Sequence, residues 1–310
     1  GRVPLHNLEA IVTFGYSGIS PALLGKCAAD NISVSFMSRH GKFLAVVVGP
    51  YCGNVVLRKT QYRLSESEEE CTKIAKNIIF GKLFNSRWVI ERATRDYSNS
   101  LDVEKLKNVS LQIKNSMESI SDCVDTASLR GVEGEAATRY FSVFDDLILR
   151  QKDDFFFRER NRRPPTDAVN AMLSFSYTML TSMVTSALYC VGLDPFVGYL
   201  HKDRPGRASL ALDMIEELRS VFADRFVITM INRKSVNKAD FITKENGAVM
   251  FTDNGKKKFL QSWQNKKLTE IKHSYLEEKV QWGMVPYVQA LLLARYLRGD
   301  IDGYPPFLWK

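Results

Sequence analysis

The pattern of apolar and polar positions changes character about fifty residues into the chain. Ala10-Ile11-Val12-Thr13-Phe14 reads as a short strand, and Ser20-Pro21 supplies an N-cap and an N1 proline for a helix through about Ala29. Ile32 to Phe36 alternates with period two, and Phe43 to Val48 is another apolar run. Arg39-His40-Gly41-Lys42 between them has the composition of a hairpin turn. Beyond Gly49-Pro50 apolar residues recur at helical spacing instead. Helices are predicted over 54–64, 66–96, 102–126 and 136–149, followed by a non-helical loop over 155–165. A helix from Ala168 and a long one over 209–231 come next, the latter with Leu210, Met214, Leu218, Val221 and Phe222 on its inner face. Asn246-Gly247 suggests a small hairpin within 243–251, and helix returns over 256–298. No internal repeat is evident. The predicted class is α+β, with a small N-terminal β-rich domain (residues 1–50) ahead of a large, mainly α-helical domain (residues 51–310).

One segment resembles a membrane span by length. Ala168 to Leu193 carries no charge, but it contains Asn170 and several serines and threonines, and Met172, Phe175, Met179, Met183, Ala187 and Val191 repeat at helical period. A buried helix with its hydroxyls bonded internally accounts for this pattern, so no membrane association is expected. Five cysteines without a CxxC pair read as reduced thiols of a cytoplasmic protein. No basic segment followed by an apolar one opens the chain, so no signal peptide is expected.

Charge changes the picture more. The 310 residues hold 43 Lys+Arg against 35 Asp+Glu, a formal excess of 43 − 35 = +8, which makes a polyanionic partner plausible without bearing on the fold. In such a chain the acids deserve scrutiny, because a metal is one way to reconcile carboxylates with bound phosphate. Gly131-Val132-Glu133-Gly134 sets a carboxylate between two glycines where a helix is expected to begin. His201 follows an apolar run and precedes a loop containing Lys202, Arg204 and Arg207. Asp213, Glu216 and Glu217 are spaced i, i+3 and i+4, which predicts a shared helix face. One imidazole with several carboxylates suits Mg²⁺ or Mn²⁺ and phosphodiester chemistry. Each feature also has a structural explanation: a helix start, a core histidine, a solvated acidic face. Arg158 to Arg163, with Arg160 and Arg162 among its cations, follows Phe155-Phe156-Phe157 and has the aromatic and cationic character of a nucleic-acid contact. The runs Lys256-Lys257-Lys258 and Lys266-Lys267 read as exposed helical faces.

Four ordered motifs narrow these alternatives. Gly131-Val132-Glu133-Gly134 with Tyr140-Phe141, Arg163-Pro164-Pro165-Thr166-Asp167 leading to Asn170-Ala171-Met172-Leu173-Ser174-Phe175 and Tyr177, Gly198-Tyr199-Leu200-His201, and Ser209 to Glu216 together resemble the CRISPR-associated spacer-integration nuclease, the universal adaptation integrase. The ending Asp302 to Lys310 is similar to the type I-C branch. The resemblance covers essentially the whole chain and makes the helical domain the catalytic one. It implies that Glu133, His201 and Asp213 are catalytic and bind Mg²⁺ or Mn²⁺, with Glu216 one turn later as a further acid and Glu217 facing another direction. It implies joining of a 3′-hydroxyl of short foreign DNA to repeat DNA by transesterification, with hydrolysis as the nuclease reaction. Lys202, Arg204, Arg207, Arg160, Arg162 and Arg163 are the expected contacts to double-stranded DNA. The expected partners are a second copy of the chain, as a homodimer, and a small ferredoxin-like protein. By the family's pattern the N-terminal domain would lack its first strands. A catalytically silent DNA-binding scaffold and a phosphohydrolase of small esters are the competing functions.

Overall fold

The computed structural model of the chain describes residues 4–5, 8, 10–15, 17–30, 32–38, 43–47 and 55–310. The N-terminal sheet has β1 (Ala10–Phe14), β2 (Ser33–Met37) and β3 (Phe43–Val47) in that order. β1 pairs parallel with β2, and α1 (Pro21–Ala29) forms the crossover that a parallel pair requires. Ser20 caps α1, accepting from the Leu23 nitrogen at 3.3 Å. β2 pairs antiparallel with β3. The expected turn at 39–42, Cys52 and the domain boundary at residues 50 and 51 lie outside the described residues.

Helices dominate thereafter: α2 (Val55–Ser65), α3 (Glu68–Asp96), α4 (Val103–Glu118), α5 (Thr126–Ser142) and α6 (Ala168–Val191). The expected helix over 102–126 ends at Glu118, and the next begins at Thr126 rather than residue 136. Asp125 decides this, because its side chain accepts from the Ser128 nitrogen at 2.7 Å while Ser128 returns a bond to the Asp125 backbone. Glu133 therefore lies mid-helix and not at a helix start.

The uncharged α6 is a core helix. Met172, Leu173, Leu180, Val184 and Leu188 are fully buried, each contributing about 1.5–3 kcal/mol. Its hydroxyls bond back along the helix: Ser176 to the Met172 carbonyl at 2.8 Å, Thr178 to Ser174 at 2.9 Å and Thr181 to Tyr177 at 2.7 Å. Among the described residues no helix is long and apolar enough to cross a membrane. The sheet rests on α6 through Phe14 against Phe175, 5.9 Å between ring centres, and Ser35 against Ser182 at 3.5 Å.

The expected long helix over 209–231 is interrupted. α7 (Ser209–Leu218) and α8 (Arg225–Asn232) are joined by a π-helical turn, Arg219–Asp224. β4 (Phe241–Thr243) and β5 (Val249–Phe251) form the expected hairpin, with Gly247 at φ +77° in its turn. The predicted helix over 256–298 is two helices, α9 (Asp253–Leu268) and α10 (Val285–Leu297), separated by a hairpin of β6 (Glu270–Lys272) and β7 (Lys279–Gln281). Lys266 on α9 is not an exposed face residue. Its ammonium lies 4.1 Å from the Trp282 ring centre, and burial, aided by Arg225, pushes its pKa down to about 7.

The C-terminal tail closes the core. Asn85 of α3 donates to the carbonyls of Glu217 (2.6 Å) and Phe307 (2.8 Å) and accepts from the Trp309 nitrogen at 2.8 Å. Trp309 is then covered by the Arg225 and Arg92 guanidinium groups, 4.0 and 4.7 Å from its ring centre.

Candidate metal centre

α3, α5, α7 and the loop before α7 meet at one cluster of charge. Asp213, fully buried on α7, organises the loop. Its Oδ2 accepts from the backbone nitrogens of Tyr199 (2.7 Å) and Leu200 (2.9 Å), and its Oδ1 from the His201 nitrogen at 2.9 Å. Oδ1 also lies 2.6 Å from His201 Nδ1. A carboxylate offers about four lone-pair sites, and these four contacts fill them. With Oδ1 as acceptor, Nδ1 donates, and in the neutral ring that leaves the Nε2 lone pair for a ligand. Gly198 permits this loop, because a Cβ there would stand 2.7 Å from Asp213 Oδ2 and 2.9 Å from the Ser209 backbone carbon.

Glu216, one turn further along α7, faces different company. Lys82 of α3 bridges Glu133 Oε1 and Glu216 Oε2, the latter at 2.6 Å, and Arg219 holds Glu216 Oε1 at 2.8 Å. Burial pushes the Glu216 carboxyl up, but Arg219 and Lys82 outweigh it and hold the pKa near 2, so Glu216 is ionised. Its Oε2 is buried and accepts no directed hydrogen bond, although the Lys82 ammonium touches it. Gly131 and Gly134, on either side of Glu133, face open space where a Cβ would meet nothing within 4 Å.

Glu217 departs from the shared face that its spacing predicts. Its carboxylate turns to the tail, accepting from the Tyr304 hydroxyl at 2.5 Å, Gln289 at 3.0 Å and the Phe307 nitrogen at 2.8 Å. Burial raises its pKa to about 7 against those three donors. All three acids of α7 are buried, which removes the solvated-face explanation.

Beside the cluster, Lys82, Glu133, Tyr177, Arg219 and Asp224 line a cleft of about 60 Å³. The π-helical turn puts Arg219 and Asp224 on the same side of the chain there. Tyr177 donates to Asp224 Oδ1 at 2.6 Å, and burial lifts the Asp224 pKa to about 6 despite that bond. Arg162 is exposed on the same cleft. Lys202, Arg204 and Arg163 are exposed and Arg207 is half-buried.

Two expectations are corrected here. Arg160 does not present a free guanidinium: it bonds Asn170 Oδ1 at 2.6 Å and Ser174 Oγ at 3.0 Å and lies 5.3 Å over Tyr177. Phe155 and Phe157 are core residues, Phe157 lying 4.7 Å from Phe144, so of the aromatic run only Phe156 is exposed, with the Arg158 guanidinium 5.3 Å from its ring centre.

The family model described as CRISPR associated protein Cas1 matches residues 1–265. The chain belongs to the Cas1 family. This Cas1-family chain is 46% identical over 309 residues to "CRISPR-associated endonuclease Cas1 1" of Chlorobaculum tepidum, covering 100% of this chain and 90% of the relative. Its fold is similar to that of a casposase bound to an integration product, at TM-score 0.84 and 26% identity over 97% of this chain and 82% of the other. It is also similar to a chain of a complex named Cas6-RT-Cas1–Cas2, at TM-score 0.80 and 22% identity, covering 99% of this chain and 33% of that one.

Among the described residues, no three His, Cys, Asp or Glu donors are grouped as a preformed ion site, and the Lys82 ammonium stands between the Glu133 and Glu216 carboxylates. The donor chemistry nevertheless fits a divalent ion. Two carboxylates converge on one cation, one oxygen lacks a directed hydrogen bond, and an imidazole nearby keeps Nε2 free. Asp213, expected as a ligand, has no lone pair left in this arrangement. Lys82, Arg219, Asp224 and the roles of Tyr177 and Gly198 escape sequence reasoning. The available signal was a lysine on the α3 face otherwise defined by Ile78, Ile79, Leu83 and Asn85.

Proposed function

We propose that this chain is a metal-dependent DNA endonuclease and integrase of CRISPR adaptation, joining the 3′-hydroxyl of a short foreign DNA to repeat DNA by transesterification. The observation that carries this reading is the convergence of Glu133 and Glu216 from separate helices on one cation, in a chain of the Cas1 family. The endonuclease name of the Chlorobaculum tepidum relative and the integration product held by the casposase support it.

Glu133, Glu216 and His201 Nε2 would hold Mg²⁺ or Mn²⁺. A bound ion of this kind supplies Lewis-acid stabilisation of charge developing on a scissile phosphate. Asp213 keeps the His201 ring oriented and its proton on Nδ1, so it acts as a positioning residue rather than a ligand. Arg219 keeps Glu216 ionised. Arg162, Lys202, Arg204, Arg207 and Arg163 would neutralise backbone phosphates of double-stranded DNA on approach. In the same reading the chain works as a homodimer with a small ferredoxin-like partner, in line with the Cas2 named in the similar complex. A cytoplasmic setting agrees with the free thiols of Cys27, Cys71, Cys123 and Cys190.

Forked and linear DNA incubated with Mn²⁺, Mg²⁺ or EDTA tests the proposal, with wild type, Glu133→Ala and Glu216→Ala compared for strand cleavage and joining. Metal-dependent products that vanish in both variants are expected. DNA binding by wild type, with its partner present, that yields no product in either metal would identify a silent scaffold instead.

A further inference from the structure

Resting on that reading of the metal site, we propose that Lys82 is a built-in cation that occupies the metal position and must be displaced before a divalent ion binds. Lys82 rises from α3 and its ammonium joins a carboxylate of α5 to one of α7. The side chain is only 12% exposed, so this bridge replaces water between the two acids. Glu216 Oε2, touched at 2.6 Å yet without a directed hydrogen bond, is satisfied by the position of a charge rather than by donor alignment.

The two cations of the cluster differ in how they are held. Arg219 pairs with Glu216 Oε1 at 2.8 Å and lies 5.1 Å from the Tyr177 ring centre, so its planar guanidinium is clamped from two sides. Lys82 is a point charge on a flexible four-carbon stem, and it borders the cleft into which it can swing. Arg219 is therefore the permanent counter-ion of Glu216, and Lys82 the exchangeable one. A divalent ion held by Glu133 and Glu216 would displace the ammonium toward the cleft that Arg162 also lines. Lys82 thus holds the carboxylates together while no metal is bound and sets the metal affinity by competition.

Titration calorimetry of Mn²⁺ into folded wild type, Lys82→Met and Lys82→Arg, without DNA, tests the competition. Lys82→Met should bind Mn²⁺ about tenfold more tightly than wild type. Lys82→Arg, which keeps the charge, should bind no more tightly than wild type. In EDTA, Lys82→Met should melt below wild type, and saturating Mn²⁺ should raise its Tm by more than it raises the wild-type Tm. A second readout needs no variant: labelling of wild-type Lys82 by an amine reagent, followed by mass spectrometry, should speed up when Mn²⁺ replaces EDTA. Equal or weaker Mn²⁺ binding by Lys82→Met, or Lys82 labelling that is unchanged or slowed by Mn²⁺, overturns the proposal. Absence of Mn²⁺ binding by all three proteins overturns the metal reading along with it.

Discussion

Asp213 grips His201 twice through one oxygen, at the backbone nitrogen (2.9 Å) and at ring Nδ1 (2.6 Å). A single buried carboxylate thereby sets both the path of the loop and the tautomer of its imidazole. Replacing it by Asn leaves a group that cannot accept all four bonds, so Asp213→Asn should weaken Mn²⁺ binding roughly 10–100-fold, the usual scale for losing such a support. Calorimetry on the folded variant checks this. Unchanged affinity would show that the His201 orientation does not depend on Asp213.

Glu216 and Glu217 are adjacent in sequence but serve different neighbours, and substitution should separate them. Glu216→Gln should lose about 100-fold or more in metal-dependent DNA cleavage, the scale for removing an electrostatic group at a reacting centre. Glu217→Gln, whose side chain meets Tyr304, Gln289 and the Phe307 nitrogen instead, should retain cleavage in the folded protein. Equal losses in the two variants would contradict this division.

Glu217 also ties stability to pH. Its carboxyl is raised from an ordinary 4.5 to about 7, so the folded state holds its proton more tightly than the unfolded chain does. The resulting contribution is fully present below pH 4.5 and disappears as pH rises through 7, a change on the order of 3 kcal/mol. The wild-type Tm should therefore fall relative to that of Glu217→Gln between those limits. Thermal melts across the range measure the difference, and parallel profiles would disprove the assignment.

Gly198 is a steric requirement of the same loop. An alanine Cβ would press on Asp213 Oδ2 at 2.7 Å and on backbone at 2.9 Å, neither of which can yield without moving the loop. Gly198→Ala should cost about 1–3 kcal/mol in denaturant unfolding and lower cleavage, in keeping with overpacking at a rigid contact. A variant with wild-type stability and activity would show that the loop has slack.

Arg160 and Arg204 should part company in salt titrations of DNA binding. Arg204 is exposed, and if it neutralises one phosphate, Arg204→Ala should reduce the slope of log affinity against log salt by about 0.9. Arg160 is spent on Asn170, Ser174 and Tyr177, so Arg160→Met should lower stability and leave the slope unchanged. The reverse outcome would return Arg160 to the DNA surface.

Where local chemistry decides, the sequence was legible. Ser20-Pro21 starts α1, period-two alternation gives β2, and the hydroxyl-rich uncharged stretch is a buried helix because its side chains bond back to their own turns. The motifs around Glu133, His201 and Asp213 identified the family, and their segments lie together in the fold. The misreadings share a cause. Glycines beside Glu133 suggested a helix start, but the capping pair Asp125 and Ser128 acts earlier along the chain. The sixty-degree difference in facing between Asp213 and Glu216 on a helix is small enough that spacing alone groups them, as it groups both with Glu217.

The chain by itself thus determined the N-terminal strands, α1, α6 and the general helical character of the rest, which acids are available and which family they belong to, since caps, periodicity and motifs act over a few residues. Tertiary structure decided the roles. Whether a carboxylate is a clamp, a ligand or an anchor depends on its partners, and most of those come from other elements: the Tyr199 to His201 loop for Asp213, Lys82 of α3 for Glu216 beside its i+3 neighbour Arg219, and the Tyr304 to Phe307 tail for Glu217. No periodicity encodes that Lys82, 51 residues from Glu133 in sequence, stands between two acids on other helices. Only the packing of α3 against α5 and α7 places it there, because a buried charge must find its counter-charge wherever the fold brings one within reach.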